Sequence, residues 1–288
     1  MSTNPSFTIV TPVLNGAKFL QDMLNSLRFQ TLGNWQHIIV DGGSTDGSLD
    51  ILKSWCAGDS RAQLVQEEGL GLYASILRGL DMAEGQLLAW LNCDDLYAPW
   101  SLQAVWNHHN RTGADWITGY PGCWDDAGTL RYVRPYGWYP KGLIRKGWFH
   151  ERLLGFLQQE SIFFSRDLYS KLTPQEREQI ASCRLAGDWL LWRCFAGHTS
   201  LNVLPSAISG FRVHGGNLSS NNLDAYLDEV RSHGGTFLPG PLARLAATSF
   251  RSLSAVRALG RVRAEDENVA ASLPAAAAGE IAAKVEQT

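Results

Sequence analysis

The run Asn92-Cys93-Asp94-Asp95 directly follows the apolar segment LLAWL and carries two adjacent carboxylates. Paired carboxylates at the end of a strand can hold a hard divalent cation such as Mg²⁺ or Mn²⁺, which usually binds one or two carboxylates together with substrate phosphates. Such a cation would neutralise the charge that develops on a departing diphosphate. The alternative is structural, because aspartates also begin turns and cap helices.

A second chemically suggestive feature is the turn DGGSTDGS at residues 41–48. Its glycines allow a ligand to approach the backbone closely, and amides exposed ahead of a helix are suited to the groups of a nucleotide. The alternative is an ordinary tight turn between a strand and a helix. The turn therefore indicates a ligand site only in combination with other features.

Apolar, β-branched segments alternate with helical patterns over the first hundred residues. Strands are predicted at residues 7–14, 35–41, 62–67 and 87–92, and a helix follows each of the first three. This alternation predicts an α/β fold with a Rossmann-like, mostly parallel sheet flanked by helices, in which ligands bind beyond the carboxyl ends of the strands. Polar clusters at residues 11–15, 41–46 and 92–95 follow three of these strands. We expect them to converge on one crevice.

The pattern changes in the second half of the chain. Residues 115–156 break into short strands and turns rich in Trp, Tyr, Gly and Pro, and QESIFFSRDLYSKL indicates a strand followed by a short helix. We therefore predict one domain over residues 1–234, with a nucleotide-binding half at 1–112 and an acceptor-binding half at 113–234. A basic amphipathic helical extension is predicted at 235–264, and an Ala-rich, disordered tail at 265–288.

Composition limits the classes of function. The chain has 288 residues, 45% of them hydrophobic, and a net charge of −3, so it can bury a full core and has no global field that would attract nucleic acid. Its five cysteines form no C-x-x-C pair, which argues against a disulfide framework or a zinc site. Neither a signal peptide nor a run of roughly 18 apolar residues is present. We expect a soluble, cytoplasmic protein.

Seven motifs taken together resemble glycosyltransferase family 2, whose nucleotide-sugar-binding domain has the GT-A fold. They are FTIVTPVLNGAKFL, HIIVDGGSTDGS, EEGLGLYASILRG, LNCDDLY, QQESIFFSRDLY, LAGDWLLWRCFAG and FRVHGGNLSS. The motifs occur in the family's order and cover roughly residues 6–222. The resemblance implies an inverting, metal-dependent transfer of a sugar from a nucleotide-diphosphate donor, with a UDP-sugar favoured, to an acceptor hydroxyl.

The resemblance also implies a role for individual residues. Those placed at the nucleotide sugar are Thr11, Pro12, Asn15, Asp41, Glu67, Arg78, Asn92 and Asp94. Asp95 is implied as the ligand of Mn²⁺ or Mg²⁺, and His214 lies in a loop that closes over the diphosphate and helps to bind the metal. For His214 the alternative is a simple turn residue. Gln159, Glu160 and Trp189 are placed on the acceptor side.

Asp188 matches the family's general base. An inverting transfer needs one base to take the proton of the acceptor hydroxyl, so a single carboxylate suffices. Its neighbours Trp189 and Trp192 would desolvate it and raise its pKa, or stack on a sugar ring. The alternative is that Asp188 caps the helix WLLWRCF, and the two roles are compatible.

Three positions depart from the family's pattern. Gly69 replaces an acidic residue, Ala74 an aspartate and Leu77 an asparagine. These losses support a second hypothesis, a nucleotide-sugar-binding protein without turnover. A nucleotidyltransferase ranks last, because no Gly-rich loop with Lys or Arg for a triphosphate lies near the N-terminus.

Basic and aromatic residues are mixed in the segment RPYGWYPKGLIRKGWFHERLLGF at residues 134–156. This composition suits a saccharide or a lipid-linked saccharide acceptor, and the alternative is an aromatic core with solvated charges. Together with the basic helix, it predicts peripheral contact with anionic lipid at the inner face of the cytoplasmic membrane. We expect a role in cell-surface polysaccharide or lipopolysaccharide assembly.

Overall fold

The computed structural model describes residues 4–134, 137–217 and 221–272, with side chains as far as residue 256 in the last helix. Among these residues the strands are β1 (Phe7–Val13), β2 (Trp35–Asp41), β3 (Ala62–Gln66), β4 (Leu87–Trp90), β5 (Leu96–Tyr97), β6 (Trp116–Thr118), β7 (Gly122–Trp124), β8 (Leu130–Val133), β9 (Ile162–Ser165), β10 (Asn202–Val203) and β11 (Ser209–Arg212).

The helices of the described residues lie between and after these strands. They are α1 (Ala17–Arg28), α2 (Ser48–Gly58), α3 (Leu72–Asp81), α4 (Ser101–Thr112), α5 (Lys141–Arg145), α6 (Arg166–Tyr169), α7 (Pro174–Ser182), α8 (Gly187–His198), α9 (Leu223–Ser232) and α10 (Gly240–Ser272), and Gln159–Ser161 forms a 3₁₀ turn.

Seven strands form the central sheet, in the order β10-β6-β9-β4-β1-β2-β3. Every neighbouring pair is parallel except the two that involve β9, which runs antiparallel to β4 and to β6. The predicted α/β fold with a mostly parallel sheet is confirmed. The predicted strand and short helix in QESIFFSRDLYSKL are β9 and α6.

Helices cover both faces of this sheet, which explains why its central strands β1, β4 and β9 are buried along their whole length. On one face, α1, α2 and α4 pack side chains such as Leu20, Leu52 and Leu102 against the sheet. On the other face, α3, α7 and α8 contribute side chains such as Ile76 and Leu191 to a larger core. Consecutive residues of β1 point alternately into these two layers.

A smaller sheet has the order β5-β11-β7-β8. Its strands β7 and β8 lie in the segment 115–156, which we predicted to contain short strands and turns, whereas β5 precedes this segment and β11 follows it. Strand β11 returns the chain to the region after β4, where the backbone N–H of Arg212 donates to Asp95 Oδ1 at 2.9 Å. This contact ties the Asn92–Asp95 segment to residues more than a hundred positions later.

The last helix, α10, begins at residue 240 and its backbone continues past the predicted boundary at 264 to residue 272. The remainder of the predicted tail, 273–288, lies outside the described residues. Phe250 attaches the helix to the domain by stacking on Trp138 at 5.4 Å and meeting Phe149 edge-on at 5.5 Å. Within the described residues, no helix combines the length and the apolar character that a membrane span requires.

Candidate active site

A cavity of about 530 Å³ opens at the carboxyl ends of β1 and β4. It extends from these strand ends to the first turns of α3 and α8. Phe211 of β11 and Gly216 and Asn217 of the following segment also border it. Six of the residues predicted to form the site line it: Pro12, Asn92, Asp94, Gln159, Glu160 and Asp188.

The direction of β9 explains how Gln159 and Glu160 reach this cavity. Because β9 is antiparallel to β4, the residues that precede β9 lie beside the residues that follow β4. Asn92 Nδ2 accordingly donates to Gln159 Oε1 at 3.2 Å, and Gln159 Nε2 donates to the carbonyl oxygen of Trp90. The sequence pattern alone did not indicate this reversal.

The two adjacent aspartates occupy different environments. Asp94 lines the cavity, and its Oδ2 lies 2.9 Å from His214 Nε2. Asp95 is only 1% exposed, and besides the Arg212 N–H it accepts a long hydrogen bond from Asn92 Nδ2 at 3.4 Å. Burial, with the charges of Asp94 and Glu160 nearby, raises the pKa of Asp95 well above its usual range. The cavity therefore presents Asp94, whereas we expected Asp95 to be the metal ligand.

His214 is held by its own loop. Its backbone N–H donates to Asn217 Oδ1 at 2.7 Å, its ring Nδ1 accepts from the N–H of Gly216 at 3.1 Å, and the ring packs against Phe19 at 4.5 Å. This arrangement leaves Nε2 facing Asp94. Asp94 and His214 thus form a pair of potential metal-binding residues. Within the described part of the chain, no group of three or more His, Cys, Asp or Glu residues is arranged to hold a metal ion.

Asp188 lies in the first turn of α8, half-buried at the cavity wall. Its Oδ1 accepts the backbone N–H of Trp189 at 2.7 Å and lies 3.1 Å from the Tyr73 hydroxyl, which is also 2.9 Å from the carbonyl oxygen of Leu185. Burial raises the pKa of Asp188 to about 6, against the opposing effect of these hydrogen bonds. The carboxyl group is therefore mostly ionised at neutral pH and can accept a proton.

The contact between Tyr73 and α8 depends on a glycine. A Cβ atom at Gly187 would lie 2.4 Å from Cγ of the Tyr73 ring, well inside van der Waals contact. We did not predict Tyr73 as a site residue, because it reads as one apolar position of α3 and lies 115 residues before Asp188. Trp90, which lines the cavity and stacks on Trp192 at 5.3 Å, was also not predicted, because it reads as one apolar position of β4.

On the side of β1, neighbouring residues face opposite layers. Pro12 lines the cavity at a point where β4 has already ended, so its missing N–H costs no hydrogen bond to β4. Thr11 is fully buried on the other face, and its hydroxyl lies 2.9 Å from His37 Nε2. Thr11 is therefore not among the residues that line the cavity, and alternation along the strand groups its side chain with that of Ile9 in the opposite layer.

The predicted nucleotide-side residues Asp41 and Asn15 organise the loops beside the cavity. Asp41 is 1% exposed, and its Oδ1 accepts the N–H groups of Gly43 and Ser44 at 3.3 and 3.1 Å. Asn15 has a left-handed backbone with φ of 54°, and its Oδ1 accepts the N–H of Thr45 at 2.8 Å. Two of the three polar clusters that we expected to converge are thus joined by direct hydrogen bonds.

Three other predicted residues lie outside the cavity wall. Glu67 and Arg78 form an ion pair at 2.6 Å, partly exposed to solvent. Trp189, predicted on the acceptor side, is 4% exposed and belongs to the core, with the Arg193 guanidinium 4.7 Å above its ring, and it does not line the cavity. Of the three departing positions, Leu77 is buried in the same core.

Comparison with known proteins gives a family match and a fold match. The model of the family described as glycosyl transferase family 2 matches residues 8–173. A PGL/p-HBAD biosynthesis glycosyltransferase of Mycobacterium bovis is 38% identical over 92 residues, which are 32% of this chain and 36% of the relative. The match thus spans about a third of that relative's length.

Solved structures extend the likeness over most of the fold. The structure of S. aureus TarS 1–349 in complex with UDP-GlcNAc has a TM-score of 0.60 at 16% identity and covers 85% of this chain and 71% of that one. The mannosyltransferase PcManGT from Pyrobaculum calidifontis, in complex with GDP-Man and Mn²⁺, has a TM-score of 0.54 at 17% identity and covers 99% and 80%. At these identities the likeness shows the fold.

Proposed function

The chain belongs to glycosyl transferase family 2, and from this premise we propose that it transfers a sugar from a nucleotide-diphosphate donor to an acceptor hydroxyl, with inversion at the anomeric carbon. The observation that carries the proposal is the position of Asp94 with His214 and of Asp188 with Tyr73 around one cavity. UDP-GlcNAc in one structure of similar fold and GDP-Man with Mn²⁺ in another support a nucleotide-sugar donor.

The pair Asp94 and His214 fits a divalent cation, and we assign the metal to these residues instead of to Asp95. One carboxylate and one imidazole, with further positions left for diphosphate oxygens and water, form a donor set that Mn²⁺ accepts. When bound, the cation would offset the negative charge on the leaving diphosphate. Coordination through Nε2 would place the ring proton of His214 on Nδ1, so the contact with Gly216 would open, in a loop whose two glycines allow that change. Asp95 would support this site by holding the Arg212 backbone.

Asp188 would act as the general base. Both of its strongest hydrogen bonds end on Oδ1, so we assign the acceptor's proton to Oδ2. As the acceptor oxygen forms its bond to the anomeric carbon, the bond between that carbon and the diphosphate oxygen breaks, and its electron pair leaves with the diphosphate. The hydroxyl proton passes to Asp188. A pKa of about 6 keeps the base ionised at neutral pH while leaving it basic enough to assist.

The nucleotide would lie toward the loops after β1 and β2. Pro12 and Gly42 line this part of the cavity, and Asp41, Asn15 and the Glu67–Arg78 pair are the neighbouring polar groups. Asp41 already accepts two backbone N–H groups, which positions its carboxylate at the end of β2. We favour UDP as the nucleotide of the donor. GDP and dTDP are the alternatives that the experiment below distinguishes from it.

A thermal-shift screen of the full chain with UDP-, GDP- and dTDP-sugars, with and without Mn²⁺, tests the proposal. A ligand at 100 times its Kd stabilises a protein by about 2.7 kcal/mol, so binding of one nucleotide series should raise Tm in a metal-dependent way. Binding without transfer to any acceptor would favour the alternative of a nucleotide-sugar-binding protein that has lost turnover. The absence of a shift with every nucleotide would contradict both.

For the acceptor we propose a saccharide or a lipid-linked saccharide, met at the inner face of the cytoplasmic membrane during cell-surface polysaccharide or lipopolysaccharide assembly. Supporting this, α10 leaves apolar side chains with 54–67% exposure, at spacings that place them on one side of the helix: Leu242, Leu245, Leu253 and Val256. Arg244 and Arg251 are exposed on the same helix. In the described part of the 134–156 segment, Phe149 instead packs inward with 3% exposure, whereas Phe156 is 40% exposed.

A further inference from the structure

One wall of the cavity contains three buried oxygen atoms that have no hydrogen-bond donor among the described residues. They are Asn92 Oδ1, Gln158 Oε1 and Glu160 Oε1, and all three residues line the cavity. Buried acceptors are nearly always satisfied in folded proteins, and leaving one without a donor is destabilising. A cluster of three at one cavity therefore indicates a ligand that brings donors.

The orientation of the two amides follows from their other partners. Gln159 Nε2 donates to the Trp90 carbonyl oxygen, so Gln159 Oε1 must accept from Asn92 Nδ2, and Asn92 Oδ1 is left over. Gln158 Nε2 donates to the Gly122 carbonyl oxygen at 3.0 Å, which leaves Gln158 Oε1. Because carbonyl oxygens can only accept, neither amide can be reversed without losing a bond.

The carboxyl groups of Asp94, Glu160 and Asp188 line the cavity, and no Lys, Arg or His is among its lining residues in the described parts of the chain. Burial raises the pKa of Glu160 to about 8, so Glu160 is mostly protonated at neutral pH. A ligand group in this space can donate hydrogen bonds to the wall. A carboxylate on the sugar would instead be desolvated beside Asp188 and would face the acceptor oxygens of Asn92 and Gln158, which offer it no donor.

The wall lies where the transferred sugar would be. Glu160 lines the same cavity as Asp94 and Asp188. The anomeric carbon must lie between the leaving diphosphate, on the side of Asp94, and the acceptor hydroxyl, on the side of Asp188. The ring attached to that carbon is then the part of the donor closest to Glu160.

We propose that Asn92, Gln158 and Glu160 form the subsite of the transferred sugar, that they accept hydrogen bonds from its hydroxyl groups, and that the site selects neutral sugars over uronic acids. This inference rests on the proposed function. A hydroxyl can donate to Glu160 whether or not the carboxyl group is ionised, because one oxygen accepts in either form. Glu160 is here a specificity-determining residue and takes no part in proton transfer.

Calorimetric titration of the full chain in the presence of Mn²⁺ tests the selectivity. The ligands are UDP, UDP-glucose and UDP-glucuronic acid, with GDP, GDP-mannose and GDP-mannuronic acid in parallel; within each pair the sugars differ only in the group at C6. For the nucleotide that binds, the neutral sugar should have a Kd at least about tenfold lower than the uronic acid. Equal Kd values within twofold would overturn the proposal without any variant.

Variants test the wall itself. Glu160→Ala should weaken UDP-glucose about tenfold and UDP less than twofold, whereas Glu160→Gln, which keeps an acceptor oxygen, should stay within about threefold of the wild type. Glu178→Ala, on the exposed side of α7, is the matched control. Equal weakening of UDP and UDP-glucose, or no change in either, would contradict the assignment. If none of UDP, GDP and dTDP binds, the proposed function fails as well, which separates the two outcomes.

Discussion

The phenol oxygen of Tyr73 lies 3.1 Å from Asp188 Oδ1 and connects the first turn of α3 to the first turn of α8 at the cavity wall. This hydrogen bond favours the ionised form of the carboxyl group, while burial favours the neutral form. The balance sets the pKa of the proposed base to about 6. The rate of transfer and its pH dependence should therefore both depend on the pKa of Asp188.

Replacing Asp188 by Asn should remove the base and leave the shape of the cavity unchanged. We expect turnover of the donor to fall by ~10²- to 10⁴-fold, with the Kd of the nucleotide sugar and of Mn²⁺ nearly unchanged. In the wild type, the rate should fall as the pH decreases through about 6, because protonation of Asp188 abolishes its ability to accept a proton. Full activity of Asp188→Asn would exclude this role.

Tyr73→Phe should move the acidic limb of the pH–rate profile to higher pH. Loss of the hydroxyl removes a hydrogen bond that stabilises the carboxylate, so the pKa of Asp188 rises and more of the base is protonated at a given pH. Tyr169→Phe is the matched control, since the Tyr169 hydroxyl bonds Asp81 at 2.9 Å, away from the cavity. An unchanged limb in Tyr73→Phe, or an equal shift in both variants, would contradict the coupling.

Substitution of Asp94 should affect metal binding, and substitution of Asp95 should affect the stability of the fold. Asp94→Ala should raise the Mn²⁺ concentration needed for nucleotide-sugar binding by about tenfold or more, with little change in the free energy of unfolding. Asp95→Ala should instead lower that free energy by about 1–3 kcal/mol, because the buried N–H of Arg212 loses its acceptor. Titration with Mn²⁺ and urea unfolding measure the two effects, and the reverse pattern would restore Asp95 as the ligand.

Two glycines of α8 provide a test of packing. Gly187→Ala should destabilise the protein by about 1–3 kcal/mol and reduce turnover, because the new Cβ would displace the Tyr73 ring. Gly197→Ala has nothing within 4 Å of the added atom and should be neutral or stabilise by up to ~1 kcal/mol. Thermal unfolding and donor turnover distinguish them; equal effects of the two substitutions would argue against a special role for Gly187.

The exposed side of α10 should bind anionic lipid vesicles. Leu245→Glu with Leu253→Glu should abolish co-sedimentation with vesicles that contain anionic lipid, because it places charge on the apolar side. Thr248→Glu, exposed on the same helix outside the row of leucines, should retain most of the binding. Added salt should weaken the wild-type interaction. Wild-type protein that stays in the supernatant at low salt would rule out membrane contact.

Local patterns predicted the elements of the first half well. The boundaries of β1 and β2 follow from apolar runs that end in turn residues, and the clusters after them lie at one edge of the sheet as expected. Alternation along β1 also contained the information that Thr11 points away from Pro12, although the resemblance had placed both at the nucleotide. The sequence was therefore sufficient to predict the strand boundaries and the direction of a side chain within a strand.

Contacts between distant segments could not be predicted in this way. The pairing of Tyr73 with Asp188 joins residues 115 positions apart, and the burial of Asp95 depends on the return of β11. Trp189 looked like a stacking residue because tryptophan suits sugar rings, but the orientation of α8 turns it into the core. These outcomes depend on how helices and strands are placed, which no short window of sequence specifies.

The reversed direction of β9 has a consequence for how selectivity could be altered. Gln158, Gln159 and Glu160 lead directly into a strand that pairs with neighbours on both sides, so the sugar wall is anchored to the sheet. A chimera that exchanges residues 125–155 for those of a relative should therefore keep the preference among donor sugars, because the exchanged segment ends before the residues that β9 holds in place. Donor choice would then be a property of the sheet and would be independent of the segment that precedes β9.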